Sequence, residues 1–395
     1  FLFTNVSAQP YMVQDINTSP NFSFGNGAVG EEGTLFQDWY YFAGFDSLHG
    51  AELWKTNGDT ALLVHDLWTG FDPINFNKSS FPQHFIVFNN LLYFTARDSV
   101  EEYELWQYNG INPPQLVNWL NFSNILNAQV FTGNFKVYNN KLIFVYNYNG
   151  NMALKEFDGF SVNTILSTAL SYSNLYVFNN KLYVVGACYL CDGLRLWEYD
   201  GVSMNLIPNL LMTEDNLLGA NWLTGFEDEY FTEFQNELYF TAYDTTHGYE
   251  IWKYDGSVAS LVFETNVGVG NGATGSLITY NNKLIYSGYD TVNGHALWMY
   301  DGINPSLIQD VNSNDNVFHD GNFDYEIFDG ILYFTCDNNG GDNRELWQYN
   351  GTAMSQVAEI YPGINNGSEP RGLKTAGPYM YFTANDSLHG RELWR

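Results

Sequence analysis

Short runs of alternating hydrophobic and polar residues predict four strands in each of several similar units. One unit starts with an apolar run at Phe85 that ends at the turn pair Asn89-Asn90, followed by a second predicted strand over Leu91 to Ala96. A third strand is predicted over Tyr103 to Tyr108 and a fourth over Gln115 to Trp119. Asn-Gly and Asp-Gly pairs after the third strand favour tight hairpins. Helical periodicity does not compete anywhere, so the pattern predicts an all-β fold.

One phrase of this pattern recurs eight times at a nearly constant spacing. Lys155 replaces its tryptophan in one copy, and the others carry Trp54, Trp106, Trp197, Trp252, Trp298, Trp347 and Trp394. A period of this length is typical of propeller blades, and the tryptophans are predicted to form the structural core of the repeat by packing between blades. We therefore expect a β-propeller of eight four-stranded blades. Seven blades plus one irregular unit is the alternative, because the copy around Lys155 is weak.

The two ends of the chain predict how the last blade is completed. The last copy stops at Trp394-Arg395, before its fourth strand. Residues Tyr11 to Ile16 match fourth strands elsewhere, such as Leu307 to Val311 and Gln356 to Ile360. The N-terminal strand is therefore expected to complete the last blade, which protects an edge that would invite aggregation. A chain that stops inside its motif is also compatible with a fragment of a longer protein.

The first residues resemble the end of a secretory signal peptide. The segment Phe1 to Gln9 reads FLFTNVSAQ, with small residues at the positions that precede signal-peptide cleavage. We expect residues 1–9 to be a signal remnant, residues 10–395 to form a single propeller domain, and the protein to be secreted or held at the cell surface.

The charge of the chain limits its partners. It carries 44 acidic against 15 basic residues, a net charge of −29. Nucleic acid is an improbable partner because phosphates are held by Lys and Arg, and no apolar stretch is long enough to insert into a membrane. The simplest interpretation is a solvated acidic surface, and the charge otherwise favours cationic partners or divalent ions. The expected partner is a protein or a glycan at the cell surface.

Three cysteines add little chemistry. Cys188 and Cys191 form a C-x-x-C in one hairpin tip, and Cys336 stands alone in a predicted strand. Structural zinc needs four ligands, and redox motifs of this type need a βαβ context that is missing here. A local disulfide between Cys188 and Cys191, or two idle thiols, is the prediction.

A loop between the second and third strands repeats Asp-x-x-x-Gly or a close variant. Its candidate ligand-binding residues are Asp46, His49, Asp98, Asp244, His247, Asp290, Asp337, Asp386 and His389. One interpretation is a set of acidic and imidazole groups for calcium, sugar or a cationic partner. The other is that each Asp caps its own loop by accepting backbone N–H groups, with Gly supplying positive φ. The loop is repeated in nearly every blade, whereas a catalytic site needs asymmetry, so the repetition favours the interpretation that each Asp caps its own loop.

The repeated phrase also resembles a known family. Its fullest copy, RELWQYNGT ending at Gly351-Thr352, is similar to the ELWxxDGT repeat of secreted bacterial proteins, and Glu359 to Gly363 with Ser368-Glu369-Pro370 resembles a second signature of that family. The resemblance covers nearly the whole chain from about Tyr11. Lys155 and the cysteine-bearing loop depart from it, which predicts local remodelling there. The resemblance implies export and surface placement, and it implies no reaction.

No catalytic signature such as G-x-S-x-G, H-E-x-x-H or a Walker loop occurs. The sequence therefore predicts no catalytic residue, no enzyme, no metal site and no cofactor, with calcium as the one candidate ion. The expected function is an adhesion-type binding or structural module without catalytic activity. A carbohydrate-binding lectin or a carbohydrate-active enzyme that uses the loop-rich propeller face is the alternative. Asymmetry around Lys155 and Cys188 would favour an enzyme.

Overall fold

The computed structural model describes most of the 395-residue chain. The described residues are 9–18, 26–69, 78–98, 103–117, 135–148, 151–166, 174–187, 194–208, 231–309, 324–337, 344–363 and 367–395. Within them the protein is all-β, with 31 strands in eight antiparallel sheets and no helix. The predicted eight-bladed β-propeller is confirmed. The seven-blade alternative is wrong, because the chain around Lys155 forms a regular four-stranded sheet.

Blades 1 to 4 each contain four strands in sequence order. Blade 1 contains β1 (Ala28–Phe36), β2 (Trp39–Asp46), β3 (Gly50–Thr56) and β4 (Ala61–His65), and blade 2 contains β5 (Gln83–Phe88), β6 (Leu91–Arg97), β7 (Tyr103–Tyr108) and β8 (Gln115–Leu116). Blade 3 contains β9 (Lys136–Tyr138), β10 (Lys141–Tyr148), β11 (Asn151–Phe157) and β12 (Val162–Leu166). Blade 4 contains β13 (Asn174–Phe178), β14 (Lys181–Ala187), β15 (Leu194–Tyr199) and β16 (Met204–Leu206).

Blades 5 to 7 repeat this order, and blade 8 has three strands of its own. Blade 5 contains β17 (Phe231–Phe234), β18 (Glu237–Asp244), β19 (Gly248–Tyr254) and β20 (Ala259–Phe263), and blade 6 contains β21 (Ala273–Tyr280), β22 (Lys283–Asp290), β23 (Gly294–Tyr300) and β24 (Pro305–Gln309). Blade 7 contains β25 (Tyr325–Phe328), β26 (Ile331–Asp337), β27 (Arg344–Tyr349) and β28 (Met354–Gln356). Blade 8 contains β29 (Arg371–Ala376), β30 (Tyr379–Asp386) and β31 (Gly390–Trp394).

The described residues fall into two compact units. The first unit contains the described residues up to Gln83 and from Asp324 onwards, and so holds blades 1, 7 and 8. The second contains His84 to Gln309 and holds blades 2 to 6. Among the described residues no helix has the length and apolar character needed to cross a membrane.

Turn chemistry explains why each blade starts as a hairpin. The first and second strands of blades 2, 3, 4 and 6 are joined by Asn-Asn pairs, and both residues have positive φ, for example 47° at Asn89 and 60° at Asn90. Asparagine tolerates this left-handed conformation better than most residues, and two such residues give the turn that matches strand twist. The Asn-Asn pairs in the sequence thus fix the register of these hairpins.

Aromatic side chains connect neighbouring blades within each unit. In the first unit, Tyr40 of blade 1 stacks on Tyr381 of blade 8 with ring centroids 4.3 Å apart. In the second unit, Tyr93 of blade 2 meets Phe157 of blade 3 at 5.8 Å, and Tyr183 of blade 4 meets Tyr254 of blade 5 at 6.0 Å. Such pairs add to the stabilisation from burial. The high aromatic content of the sequence therefore serves packing between sheets.

The N-terminal segment supplies the fourth strand of blade 8, as predicted. Met12 bridges antiparallel to Trp394. The N–H of Tyr11 donates to the carbonyl of Arg395, and the N–H of Arg395 donates back to the carbonyl of Tyr11, both at 2.9 Å. The guanidinium of Arg395 also lies over the rings of Tyr11 and Tyr379, at 5.2 and 4.4 Å from their centroids. Two parts of the chain nearly 400 residues apart in sequence thus form one sheet.

Candidate functional site

Four similar turns join the second and third strands of blades 1, 5, 6 and 8, and we call them the Asp turns. They are Asp46–Gly50, Asp244–Gly248, Asp290–Gly294 and Asp386–Gly390. In each, the aspartate Oδ1 accepts the backbone N–H groups two and three residues later, for example those of Leu48 at 2.8 Å and His49 at 2.7 Å. The closing glycine has positive φ in every case, between 65° and 79°. The aspartates therefore close their own turns, as the structural interpretation of the sequence proposed.

Three Asp turns also hold a histidine against the aspartate. The Nδ1 atoms of His49, His247 and His389 lie 2.8, 2.7 and 2.7 Å from the Oδ2 atoms of the aspartates in the same turns. In the fourth turn the Nδ2 group of Asn293 donates to Asp290 at 2.8 Å. The imidazole side chains remain 30–34% exposed. Because Nδ1 faces the carboxylate, Nε2 is the ring nitrogen left to meet a ligand.

The Asp–His contact changes the acid–base properties of both groups. The hydrogen bond that each ring donates to its aspartate raises the pKa of His247 and of His389 above the ordinary value. Burial alone would raise the pKa of Asp244 and Asp386, but the hydrogen bonds from the histidine and the turn N–H groups outweigh it and lower both pKa values. In these two pairs the contact therefore favours an ionised carboxylate beside a protonated imidazole.

Replacement of the aspartates tests this coupling. We expect Asp244→Asn to lower the pKa of His247, and Asp386→Asn to lower that of His389, because the anionic partner of the imidazolium is removed. The turns should survive, since Asn57 closes a turn of blade 1 with the same pattern of backbone bonds. A titration of the histidine ring signals by NMR gives the pKa values directly. Unchanged values would contradict the coupling.

Two of the predicted loop residues, Asp98 and Asp337, do not belong to an Asp turn. Asp98 follows β6 and is half-buried, and Asp337 is the last residue of β26 in register with Arg344. The loops that follow both residues lie outside the described part of the chain. Cys188 and Cys191, the disulfide candidates, also lie outside it. Cys336 is buried.

The repeated tryptophans lie in the third strands, as predicted. Trp54 is buried in a cluster with Tyr40 and Phe42, and a Cβ on Gly44 would lie 2.6 Å from its ring. The other six, at 106, 197, 252, 298, 347 and 394, are half-buried. The indoles of Trp106, Trp197 and Trp394 donate to carbonyl oxygens of the adjacent second strand, at 3.1–3.3 Å. These contacts hold the rings against their own blade.

Sequence reasoning missed the glutamate that precedes the Leu-Trp pair of the repeat. In the first unit Glu52, Glu345 and Glu392 are buried, and each carboxylate binds the segment that leads into the next blade. Glu52 accepts from the N–H of Leu67 at 2.9 Å and from the N–H and Oγ of Ser80 at 3.0 and 2.6 Å. Glu392 accepts from the N–H of Gly27 at 2.8 Å. These carboxylates organise the inter-blade linkers.

Glu345 and Glu250 show the same arrangement, one in each unit. Glu345 accepts from the N–H of Tyr361 at 3.2 Å and from the Oγ of Ser368 at 2.5 Å. In the second unit the buried Glu250 accepts from the N–H groups of Thr265 at 3.0 Å and Asn266 at 3.3 Å. The signal in the sequence was the glutamate itself, which stands at this position in every copy except those with Ala153, Arg195 and Ala296.

Burial makes these carboxyl groups weak acids. It raises the pKa of Glu52 and of Glu250 to about 7, and that of Glu392 to about 9. The pKa of Glu345 is raised as well, again because of burial. Among the described residues no three His, Cys, Asp or Glu side chains are grouped so that they could hold a metal ion. The buried glutamates therefore act on the linkers as single groups.

Sheets, blades and turns together define the chain as a β-propeller. No protein-family model matches its sequence, and no curated protein is similar to it. Among solved structures it is similar to the β-propeller domain of the Trilobed protease from Pyrococcus furiosus, with 12% identity, 84% of this chain and 98% of that chain covered, and a TM-score of 0.47.

Two further similar structures are longer peptidases. A Mycobacterium tuberculosis puromycin-hydrolyzing peptidase is 10% identical, with 95% of this chain and 60% of that chain covered and a TM-score of 0.48. The acylaminoacyl peptidase of Pyrococcus horikoshii is 12% identical, with 82% and 52% covered and a TM-score of 0.45. The chain thus spans 52–60% of the length of these two peptidases.

These structures correct an expectation from the sequence. An adhesion-type module that is not an enzyme was predicted because no catalytic motif stands out. That prediction is wrong against this comparison, since the three similar structures named above are peptidases or parts of peptidases. At such low identities the likeness concerns the fold, and the activity belongs to the matched proteins.

Proposed function

We propose that this chain is the recognition propeller of a peptide-processing enzyme, and that its Asp turns take up cationic peptide segments. The peptidase setting is carried over from the similar solved structures. Peptide recognition is argued from the chain's own residues. The observation that carries it is the repeated Asp–His pair, built with the same geometry in blades 1, 5 and 8.

A turn with an Asp–His pair suits a peptide backbone. With Nδ1 bonded to the aspartate, a neutral imidazole offers Nε2 as an acceptor, and a protonated one offers it as a donor. A peptide presents both N–H donors and C=O acceptors along its length. The hydrogen bonds to Asp244 and Asp386 raise the pKa of His247 and His389, which favours the protonated, donating form of these two rings. A turn that carries a histidine can therefore bind either group of a peptide bond.

Charge supports the preference for cationic segments. The chain carries a net charge of −29, and a strongly anionic surface raises the local concentration of cationic ligands and speeds their association. The aspartates of two His-bearing turns have lowered pKa values and so stay ionised. Lysine and arginine side chains of a peptide are the complementary groups.

Export from the cell is part of the same proposal. It is supported by the signal-like start of the sequence and by the resemblance of its repeat to ELWxxDGT proteins. N-terminal sequencing of the protein recovered from culture medium tests it. A mature chain that begins near Gln9 is the expected result, and protein retained in the cytoplasm would contradict it.

Peptide binding tests the recognition function. Three peptides of equal length are compared, one rich in arginine, one neutral and one rich in glutamate. We expect the arginine-rich peptide to bind at least about tenfold more tightly than the glutamate-rich one, and its affinity to fall with added salt. Mass spectrometry of the same mixtures reports cleavage. Equal affinity for all three peptides would contradict the proposal.

Matched variants assign the binding to the Asp turns. The combined replacement His49→Gln, His247→Gln and His389→Gln should weaken arginine-peptide binding by about tenfold, because three partly exposed imidazole rings are lost. The control is His65→Gln, an exposed histidine at the end of β4 outside the turns. If the triple variant kept full affinity for the peptide, or if the control lost as much affinity, the Asp turns would not be the binding site.

A further inference from the structure

A second set of turns lies at the other end of the third strands. In the second unit these turns connect the third and fourth strands of blades 2 to 6, and we call them the tip turns. They are Asn109–Asn112, Asp158–Ser161, Asp200–Ser203, Asp255–Val258 and Asp301–Asn304. In each, the first residue accepts the N–H groups two and three positions later at 2.7–3.0 Å. All five tip turns thus have one geometry.

An apolar side chain projects from every tip turn. Ile111, Phe160, Val202, Val258 and Ile303 are 84%, 89%, 89%, 61% and 79% exposed. Single exposed apolar residues are normal on protein surfaces. Five at matching turns of five consecutive blades form a regular series, and burying them on a partner would remove apolar area from water.

The first unit shows that the turn does not require an apolar tip. The turn that starts at Asn57 accepts the N–H of Asp59 at 3.0 Å, and the turn that starts at Asn350 accepts the N–H of Thr352 at 2.9 Å. Both have the same geometry, with Asp59 and Thr352 at the third position, where four tip turns carry Ile, Phe or Val. The turn at Asp255 has Ser257 there and its apolar residue, Val258, one position later. The apolar tips therefore belong to the second unit and are not demanded by the local fold.

Four of the five tip turns also carry a negative charge. Backbone hydrogen bonds lower the pKa of Asp158, Asp200, Asp255 and Asp301, so these carboxylates are ionised at neutral pH. Among nearby cations, Lys141, Lys181 and Lys253 already bind Glu156, Glu198 and Glu237, at 2.6, 2.7 and 2.8 Å. Lys283 lies near Asp301. The tips thus alternate apolar side chains with carboxylates.

We propose that the tip turns of the second unit form a docking surface for a polypeptide that presents apolar side chains flanked by lysine or arginine. This surface is distinct from the Asp turns and goes beyond the proposed function. Charge selects the occupant: a second copy of this chain would bring matching carboxylates together, and anionic lipid would be repelled. Several weak contacts in a row gain affinity together when one partner engages them all.

The test uses the full chain and a labelled peptide in which leucine and lysine alternate. The first variant is Phe160→Ser with Val202→Ser and Ile303→Ser, which leaves the charge unchanged. The second replaces Asp158, Asp200, Asp255 and Asp301 by Asn, which preserves the turns because Asn109 closes one in the same way. The control is Val267→Ser with Val269→Ser, two equally exposed valines in the linker after β20. Melting temperatures confirm that every variant is folded.

We expect each tip variant to weaken binding of the leucine–lysine peptide by about tenfold or more, and the linker control to change it less than about twofold. A peptide with glutamate in place of lysine should not bind. The proposal is overturned if the serine variant binds like the parent chain. It is also overturned if the serine variant abolishes self-association in sedimentation or binding to zwitterionic vesicles, since the occupant would then be a second copy or a lipid surface.

Discussion

Removal of residues 1–18 is expected to lower the melting temperature by roughly 10 °C and to promote aggregation, because blade 8 loses its fourth strand. Val13 and Ile16 are buried, and the N–H of Val13 donates to the carbonyl of Leu393 at 2.9 Å. Loss of both apolar contacts and of the strand hydrogen bonds amounts to a destabilisation on the order of 5 kcal/mol. Thermal unfolding followed by circular dichroism gives the shift.

Point variants separate strand pairing from chain length. Val13→Ser with Ile16→Ser keeps the backbone and should still destabilise by about 3–5 kcal/mol, since two polar groups enter a buried cluster. Thr18→Ala is the matched control, because Thr18 is exposed in the same segment. If the truncated chain melted at the temperature of the full chain, the N-terminal strand would not stabilise blade 8.

A second large effect is expected with pH. Glu392, Glu52 and Glu250 have folded-state pKa values of about 9, 7 and 7, against 4.5 as the ordinary value. Because folding favours their protonated forms, their contribution is complete below pH 4.5 and is lost as the pH rises through the folded pKa values. Asp244 and Asp386, with lowered pKa values, contribute only above their ordinary value of 3.8. The melting temperature should therefore peak near pH 4–5 and decline towards pH 9.

The net charge of the chain acts in the same direction, so variants must isolate the buried groups. Glu392→Gln imitates the protonated acid and should stabilise the protein at pH 8 by on the order of 2 kcal/mol while flattening the pH dependence. The control Glu233→Gln removes the same charge from an exposed position on β17. Equal effects of both replacements would assign the pH dependence to general repulsion. Glu392→Ala should destabilise at every pH, because the N–H of Ile16 loses its carboxyl acceptor and the N–H of Gly27 loses one of its two acceptors.

The propeller could be predicted because its signals are local and repeated. The Asn-Asn and Asp-Gly pairs specify turns, strand alternation specifies the sheets, and the spacing of the tryptophans specifies the blades. The match of Tyr11 to Ile16 with other fourth strands predicted the completion of blade 8. Even the weak copy around Lys155 forms a regular sheet, since β10 and β11 pair over their whole length without that tryptophan.

The buried glutamates could not be predicted from strand alternation. A glutamate next to Leu-Trp reads as a solvent-facing residue, and only the return of the linker over its carboxylate buries it. Ser80 and Ser368, which complete the acceptor sites of Glu52 and Glu345, lie 28 and 23 residues away from them. Contacts between residues so far apart in sequence depend on how the blades pack together. They produce no periodic pattern of residues from which they could be predicted.

The turns were predictable in position and not in role. The spacing of Asp46 and His49 places an aspartate three residues before a histidine, which is enough to foresee the capped turn. Whether such a turn binds a ligand depends on which group can approach the histidine Nε2. Because the turn is repeated in several blades, the sequence does not distinguish one of them as a binding site. The tip residues such as Phe160 could also be placed in turns from the sequence. Strand alternation predicts only that turn residues face solvent, so it does not indicate that these turns share an apolar residue.

The central claim is that the Asp turns recognise cationic peptide, and the histidine ring signals test it most directly. The chain has seven histidines, so their ring resonances can be assigned by single replacements and followed by NMR while an arginine-rich peptide is added. Binding at the turns predicts that the signals of His49, His247 and His389 each shift on addition of the peptide while that of His65 stays in place. Signals that do not move, or a His65 shift as large as the others, would contradict the account.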